Sequence, residues 1–246
     1  MSVVAVIPAR GGSKRLPRKN LALIDGRSIL EWTIRSSLAC ASIDFTAVST
    51  EDAQIAQVAK DAGVNVIARP KSLAIDSTPT QPVLVHAIRE LQSTGHTPET
   101  LVLLQPTSPL RKASHIDACM RMYEGEGSVI SVVETSTSPF KAMFLDPAGE
   151  ATPIRTWDEL ESPQDRLPRT FRPNGAIYVC NVRELVNSGR LFQVPVRLFP
   201  MTLEESVDID TDADLQMARE IMERPPVKGP GESRPDGPQN RTTVRL

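Results

Sequence analysis

A short basic stretch near the start of the chain has the residue types of an anion site. It reads AVIPARGGSKRLPRKNL over residues 5–21, and its cations are Arg10, Lys14, Arg15, Arg18 and Lys19. Glycines let a main chain approach a ligand closely and adopt positive φ, so that backbone N–H groups point at an anion. The pair Gly11 and Gly12 therefore predicts a polyphosphate site, although neither GxxxxGK[ST] nor GxGxxG is matched. A solvated basic turn is the alternative interpretation.

A second candidate element is SVDIDTDADL, residues 206–215. If its first five residues are extended, Asp208 and Asp210 project to the same face while the apolar residues between them point into the core. Two hard carboxylates suit Mg²⁺, which completes its shell with water and phosphate oxygens. Thr211 and Asp214 have the spacing of a helix capping box, so the later acids are assigned to a helix start. The basic loop and the acidic pair together predict metal-assisted nucleotide chemistry, with two exposed edge acids as the alternative.

A third element is LLQPTSPLR, residues 103–111, an apolar run that ends in two prolines and polar residues. At the end of a buried strand, Gln105, Thr107 and Ser108 could offer hydrogen bonds to a ligand. The prolines would stiffen this loop and reduce the entropy lost on binding. Taken alone, the pattern is equally compatible with a rigid turn.

Short apolar runs alternate along the chain with segments of helical period. Strands are predicted over residues 2–8, 46–49, 65–68, 101–104, 128–133 and 175–181, and helices over 28–40, 51–62, 80–91, 113–123 and from 211 towards 222. Ser28 is a predicted N-cap and Gly63 a predicted C-cap. The alternation predicts an α/β fold with a mostly parallel sheet, helices on both faces and ligands at the carboxyl ends of the strands.

Composition sets further limits on function. The chain has 246 residues, a formal net charge of -2 and three cysteines without a CxxC pair. A near-neutral chain lacks the broad basic field of a nucleic-acid-binding protein, so no nucleic-acid partner is expected. The first residues pass directly into an apolar strand, without the pattern of a signal or a membrane span. We therefore expect a cytoplasmic protein with buried free thiols and no membrane partner.

The expected organisation is one domain over residues 1–224 followed by a tail. Residues 134–173 are rich in proline and polar residues and have little periodicity, which predicts an arm inserted into the domain. Residues 225–246 are dense in proline, glycine and polar residues, which predicts a disordered tail.

Six motifs taken together resemble the acylneuraminate cytidylyltransferase family, which includes the CMP-sialic acid synthetases and relatives that activate legionaminic or pseudaminic acid. The motifs are IPARGGSKRLPRKNL, VSTED, ARP, LLQPTSPLR, FRPNGAIYV and SVDIDTDADL, in the family's order over residues 3–222. The resemblance implies a Rossmann-like nucleotidyltransferase fold and the substrates CTP and an acidic nine-carbon sugar. It also implies CMP-sugar and pyrophosphate as products, and a homodimer whose arm, about residues 139–171, reaches into the partner's active site.

The resemblance also implies roles for individual residues. For nucleotide binding it implies Arg10, Gly11, Gly12, Lys14, Lys19, Asn20, Arg69, Thr80 and Gln105. For the sugar acid it implies Gln105, Lys141, Arg172, Asn174 and Tyr178. For Mg²⁺ it implies Asp208 and Asp210, which together with Arg10 and Lys19 are the expected catalytic residues.

One position departs from the family pattern. The family's arginine before the Leu-Pro of this region falls here on Gln164. Lys141, Arg172 and Arg111 are the candidate cations for the carboxylate of the acceptor, with arginine favoured for bidentate contacts. Two alternatives stay open: a nucleotidyltransferase that uses CTP on a different small acid, Kdo-like or not a sugar, and a nucleotide-binding module without turnover.

Overall fold

A seven-stranded sheet forms the centre of the protein in the computed structural model, which describes residues 2–224. The strands of the chain are β1 (Val3–Pro8), β2 (Leu23–Ile24), β3 (Arg27–Ser28), β4 (Phe45–Thr50), β5 (Asn65–Ala68), β6 (Thr100–Leu103), β7 (Ser128–Glu134), β8 (Met143–Leu145), β9 (Ala151–Pro153), β10 (Phe171–Asn181) and β11 (Val196–Met201). The central sheet has the order β11-β7-β10-β6-β1-β4-β5. The predicted tail, residues 225–246, lies outside the described residues.

Most neighbours in this sheet run parallel, as predicted. β1 is parallel to both β4 and β6, β4 to β5, and β11 to β7. β10 is antiparallel to both of its neighbours, β6 and β7. The carboxyl ends of β1, β4 and β6 therefore meet at one edge of the sheet, which brings their following loops together.

Helices cover both faces of the sheet. They are α1 (Ile29–Leu38), α2 (Ala53–Asp61), α3 (Thr80–Ser93), α4 (Ala113–Met122), α5 (Trp157–Glu161), α6 (Val182–Ser188) and α7 (Asp212–Glu223). Apolar side chains of α1, α2 and α4 fill one core layer, and those of α3 and α6 fill the other. None of the helices within residues 2–224 has the length and apolar character needed to cross a membrane. The three cysteines are buried with free thiols, as predicted.

Local sequence signals account for several helix ends. Ser28 and Glu31 form a complete capping box at the start of α1, and Thr211 and Asp214 form one at the start of α7. Gly63 follows α2 with φ +76°, a conformation that glycine adopts without the steric cost that a Cβ brings. These caps confirm three local predictions.

The segment between β7 and β10 departs from the βα pattern. It contains the antiparallel hairpin of β8 and β9 and the short helix α5. The side chains of Met143, Phe144 and Leu145 are exposed on this hairpin. A run of exposed apolar side chains of this kind is uncommon on the surface of a monomeric protein.

Candidate active site

The basic loop follows β1 and packs against the turn between β4 and α2. The N–H of Gly11 donates to the carboxylate of Glu51 at 2.8 Å, and a Cβ at Gly11 would overlap the side chain of Asp52. Close packing is therefore what requires glycine at position 11. Gly12 has open space around its Cα, and neither glycine adopts positive φ, which corrects the prediction for these two positions.

Arg18 fastens the far end of this loop. Its guanidinium donates to the carboxylate of Asp52 at 2.8 Å, and its backbone lies in the left-handed region with φ 58°. Asp52 also accepts hydrogen bonds from the N–H groups of Gln54 and Ile55, which caps α2. Burial opposes ionisation of Asp52, but these donors and Arg18 outweigh it and lower its pKa. Arg18 thus has a structural role that the sequence did not reveal.

A cleft of about 220 Å³ opens at the carboxyl edge of the sheet. Predicted nucleotide contacts on its wall are Arg10, Lys19, Asn20, Arg69, Thr80 and Gln105. These residues come from the basic loop, the end of β5, the start of α3 and the loop after β6. The topology therefore brings together six of the nine residues that the sequence predicted for nucleotide binding.

The cations of the loop form ion pairs with two carboxylates on opposite sides. Arg10 and Lys14 pair with Asp76 at 2.5 and 2.7 Å, and Lys14 is largely exposed. Hydrogen bonds from Lys14 and then from Arg10 lower the pKa of Asp76. Arg15 and Lys19 each pair with Asp210 at 2.7 Å. Arg15, which had no role at the sequence level, is thus a partner of Asp210.

Asp208 and Asp210 lie in the irregular connection from β11 to α7. Between them Ile209 is fully buried, and its cluster also contains Leu16 of the basic loop. This apolar contact places the loop next to the acids. The N–H of Ile209 donates to the carbonyl of Thr107 at 2.8 Å, which ties the acidic segment to the loop after β6.

The two acids have opposite pKa shifts. Asp208 is exposed, yet desolvation by the surrounding protein atoms raises the pKa of its carboxyl group. The negative charge of Asp210 raises this pKa further, and a hydrogen bond from Thr107 lowers it. The hydrogen bond from Lys19 lowers the pKa of Asp210. Within residues 2–224 no group of three or more His, Cys, Asp or Glu side chains could hold a metal. A cation here would take two protein carboxylates and other ligands from water or substrate.

Two further wall residues are held by the ends of strands. The Nδ2 of Asn20 donates to the carbonyl of Arg10 at 2.8 Å, which closes the basic loop on itself. Arg69 is buried, and its guanidinium donates to the carbonyl of Ser49 at 2.5 Å. Burial lowers the pKa of Arg69, the nearby charge of Arg10 lowers it further, and the charge of Glu51 opposes both.

The loop after β6 is held to β10 by Arg111. Its guanidinium is buried and donates to the carbonyls of Gln105 and Ala176 at 3.1 and 2.9 Å. Burial lowers the pKa of Arg111 to about 9. Arg111 is therefore a strut under the cleft and cannot serve as a cation for an acceptor carboxylate. Ser108 is also buried, with its hydroxyl directed at the carbonyl of Asn174, so it does not face a ligand.

The predicted sugar-acid residues fall into two groups. Tyr178 lies near the acids: burial and the charge of Asp208 raise its pKa, and a hydrogen bond with the backbone of Gly175 opposes them. Asn174 is buried with its amide inside the protein. Lys141 lies in the arm, where its Nζ donates to the carbonyl of Leu160 at 2.6 Å. Arg172 is exposed on β10 where it pairs with β7.

The sequence did not single out two further residues of this region. Asp76 lines the cleft and pairs with cations of the basic loop. Its position a few residues before α3 was the only feature of the sequence that pointed to it. Phe192 is 48% exposed and packs edge-on against Tyr178, with 6.0 Å between ring centroids. Its position in a connection without clear periodicity gave no signal.

The sequence is similar to that of known proteins along most of its length. Residues 4–180 match a family model described as cytidylyltransferase. A CMP-N,N'-diacetyllegionaminic acid synthase from Legionella pneumophila is 32% identical over 226 residues, which are 91% of this chain and 97% of that protein. An N-acylneuraminate cytidylyltransferase from Escherichia coli is 28% identical over 223 residues, 90% of this chain and 52% of that protein. The chain thus spans about half the length of the second relative.

A solved structure also resembles the chain in fold. It is CMP:2-keto-3-deoxy-manno-octonic acid synthetase complexed with CTP, with a TM-score of 0.68 and 20% sequence identity. The match covers 90% of this chain and 98% of that one. At this identity the likeness shows the fold alone, and it confirms the predicted nucleotidyltransferase architecture.

Proposed function

The chain belongs to the cytidylyltransferase family, as its motifs predicted, and from this premise we propose that it transfers CMP from CTP to the anomeric hydroxyl of a nonulosonic sugar acid. The hydroxyl loses its proton to solvent, its oxygen forms a bond to the α-phosphorus, the bond from that phosphorus to the α,β-bridging oxygen breaks, and pyrophosphate leaves. The observation that carries the proposal is the meeting of the basic loop, the cleft and two carboxylates at one edge of the sheet. Because the reaction consumes CTP, we place it in the cytoplasm.

The basic loop is proposed to neutralise the triphosphate. Arg10 and Lys19 line the cleft, and Lys14 shares the carboxylate of Asp76 with Arg10, so all three cations lie close to the opening. Phosphoryl transfer depends mainly on positioning and on neutralising charge on the transferring and leaving oxygens. Gly12, with open space around it, lets the main chain approach the phosphates.

The remaining nucleotide contacts follow from the cleft walls. Asn20 is proposed to meet the ribose, and Arg69 and Thr80, which line the same cleft, are proposed as further nucleotide contacts. Arg69 is held rigidly by Ser49, so little side-chain entropy is lost when a nucleotide binds. Gln105 lines the same cleft and also abuts Gly175 of β10, a position between nucleotide and sugar.

Asp208 and Asp210 are proposed to hold Mg²⁺. Their oxygen-only donor set and their number fit this ion, which is commonly bound through one or two carboxylates together with substrate phosphates. A bound Mg²⁺ would supply further charge neutralisation at the phosphates. Lys19 donates to Asp210 at 2.7 Å and lines the cleft, so the same ammonium group lies between the acid and the space for the nucleotide.

The sugar acid is proposed to bind on the β10 side of the cleft. Burial raises the pKa of Tyr178, the charge of Asp208 raises it further, and Gln105 abuts Gly175 of the same strand. Lys141 and Arg172 remain the candidate cations for the acceptor carboxylate, since Arg111 is buried in the strut. Within residues 2–224 no ion pair engages either of them.

We further propose that the arm makes the protein a homodimer. Phe144 and Leu145 are 62% and 74% exposed, and Val194 and Leu198 on and beside the edge strand β11 are exposed as well. Two such apolar surfaces would be covered if the arm of one copy packed on another copy. Leu145→Asp should convert a dimer measured by sedimentation equilibrium into a monomer. An unchanged dimer would contradict this role of the arm, and Leu38→Asp, at the exposed end of α1 and on neither of these two apolar surfaces, serves as the matched control.

A different small acid as acceptor is the second candidate, and Gln164 favours it. The side-chain oxygen of Gln164 accepts a hydrogen bond from the N–H of Ser138 at the base of the arm. A neutral amide with a structural partner therefore stands where the family pattern has an arginine. This change could alter the acids that the pocket accepts.

Pyrophosphate release from CTP tests the function directly. The acceptor panel is N-acetylneuraminate, N,N'-diacetyllegionaminate, pseudaminate, Kdo and a small non-sugar 2-keto acid, each with and without Mg²⁺, and mass spectrometry identifies the product. We expect release only with Mg²⁺ and a nine-carbon acid. Product with Kdo or the non-sugar acid alone would support the second candidate, and CTP binding without any product would indicate a binding module.

A further inference from the structure

The side chain of Asn174 is buried and all of its hydrogen-bonding capacity is used by the protein. Its Oδ1 accepts from the hydroxyl of Ser131 at 2.6 Å and from the N–H of Ala176 at 3.2 Å. Its Nδ2 donates to the hydroxyl of Ser206 at 2.9 Å and to the sulfur of Met201 at 3.3 Å. A primary amide offers two donors and one oxygen with two lone pairs, so none is left for a substrate.

The orientation of this amide is fixed by its partners. The N–H of Ala176 can only donate, so the amide atom that faces it must be the oxygen. The NH₂ group consequently faces Ser206. Ser131 completes the arrangement, because its hydroxyl accepts from the N–H of Ile177 at 2.7 Å while it donates to Asn174.

A bulge in β10 turns Asn174 into the interior. The pairing of β10 with β7 shifts register between Pro173 and Tyr178. Gly175 lies inside this bulge with φ +80°, a conformation that favours glycine. The bulge places Asn174 under the carboxyl edge of the sheet, where the connection carrying the acids passes.

Ser206 is two residues before Asp208 in that connection. Because the connection is irregular, its position depends on the tertiary contacts that hold it. On one side Thr107 holds Ile209 through a backbone hydrogen bond, and on the other side Asn174 holds Ser206. The two contacts bracket Asp208, so each constrains the direction of its carboxylate.

We propose that Asn174 is a positioning residue that acts through Ser206 to fix Asp208 and Asp210, and that it does not contact the sugar acid. This role rests on the proposed function, because it concerns the proposed metal ligands of that same site. Groups that orient metal ligands from behind typically change metal affinity or activity by about 10- to 100-fold when they are removed. The loss is expected in metal-dependent binding and in kcat, with KM for the sugar acid unchanged.

The test compares Asn174→Ala and Ser206→Ala with Ser128→Ala. Ser128 is a matched control, since it is a fully buried serine of β7 whose hydroxyl donates to the carbonyl of Gln193 and accepts from its N–H. Calorimetry measures binding of Mn²⁺–CTP and of CTP in EDTA to the full-length protein. We expect both site variants to bind Mn²⁺–CTP about 10- to 100-fold more weakly, with CTP affinity in EDTA unchanged and Ser128→Ala equal to the wild type.

A double variant separates the two routes by which Asn174 could act. If Asn174 acts through Ser206, Asn174→Ala/Ser206→Ala loses no more Mn²⁺–CTP affinity than Asn174→Ala alone. Wild-type Mn²⁺–CTP affinity in Ser206→Ala would overturn the proposal, even if Asn174→Ala failed to fold. A raised KM for the sugar acid in Asn174→Ala, with unchanged Mn²⁺–CTP affinity, would overturn it as well. A wild type that binds Mn²⁺–CTP no tighter than CTP would also overturn it. Because binding needs no turnover, the result stands apart from whether any acid is accepted.

Discussion

Gly175→Ala is expected to disable the site by displacing Gln105. A Cβ at this position would lie 2.6 Å from the side-chain oxygen of Gln105, whereas ordinary contact begins at about 3.4 Å. The amide must therefore move by about 0.8 Å. A misplacement of about 1 Å in a positioned group can cost about 100-fold in rate. We expect kcat/KM to fall by about that factor.

Backbone strain must be separated from this contact, and Gly63→Ala does so. Gly63 has φ +76° against +80° for Gly175, and nothing lies within 4 Å of a Cβ built on it. Left-handed backbone costs a residue with a Cβ about 1–2 kcal/mol. In a protein of this size that corresponds to a fall of about 2–8 °C in Tm. Both variants should show this fall, and only Gly175→Ala should lose activity.

The assay is pyrophosphate release under saturating CTP and then under saturating acid, beside thermal unfolding of each variant. Wild-type kcat/KM in Gly175→Ala would show that the position of Gln105 does not matter for the reaction. Equal losses of activity in both variants would show that general strain, rather than the contact with Gln105, is responsible.

Three further changes test the charges. Asp210→Asn should lower kcat by about 100-fold or more, while Asp212→Asn, which changes an exposed acid two residues later at the start of α7, should keep the wild-type rate. Asp76→Asn should lower KM for CTP by about two- to fivefold, because its carboxylate competes with phosphate for two loop cations; a raised KM would show that Asp76 helps binding. Burial lowers the pKa of His115 in the folded state, so protonation favours the unfolded chain and stability is lost as pH falls below about 6.5. In urea unfolding curves measured between pH 8 and 5, His115→Gln should reduce this loss of unfolding free energy. An unchanged dependence of the unfolding free energy on pH would show that His115 is not its source.

Local patterns predicted the elements whose ends are set by neighbouring residues. The capping boxes of α1 and α7 and the glycine after α2 are examples, because the donor and acceptor lie within a few residues of each other. The small hairpin of β2 and β3 was missed although Asp25 and Gly26 are a common turn pair with positive φ. α6 was missed as well, despite Asn181 at its N-cap and Gly189 with φ +68° at its C-cap.

Non-local pairing explains the remaining misses in the sheet. β11 contains Pro200, and its residues Val196, Leu198 and Pro200 are exposed, so its pattern resembles that of a loop. It becomes a strand because β7 offers a parallel edge. The antiparallel direction of β10 is likewise set by its two neighbours and not by its own residues.

The candidate site shows the same division. Residue types and spacing identified the cations and the acids, but Lys19 and Asp210 are 191 positions apart and their pairing depends on the whole fold. Arg111 resembles a substrate cation in the sequence, yet it is a buried strut. Arg18 resembles a phosphate ligand and is instead bound to Asp52.

The bulge in β10 connects the two sides of the site. Arg172 and Asn174 are two residues apart, so in a regular strand their side chains would share one face. The register shift after Pro173 removes that equivalence, and Arg172 is exposed while Asn174 is buried. The strand β10 thus exposes Arg172 next to the arm, while Asn174 of the same strand holds the connection that carries Asp208 and Asp210. The arm connects the ends of β7 and β10 at which their pairing stops. A change in the arm that altered this pairing would therefore also displace the side-chain amide of Asn174, which holds Ser206.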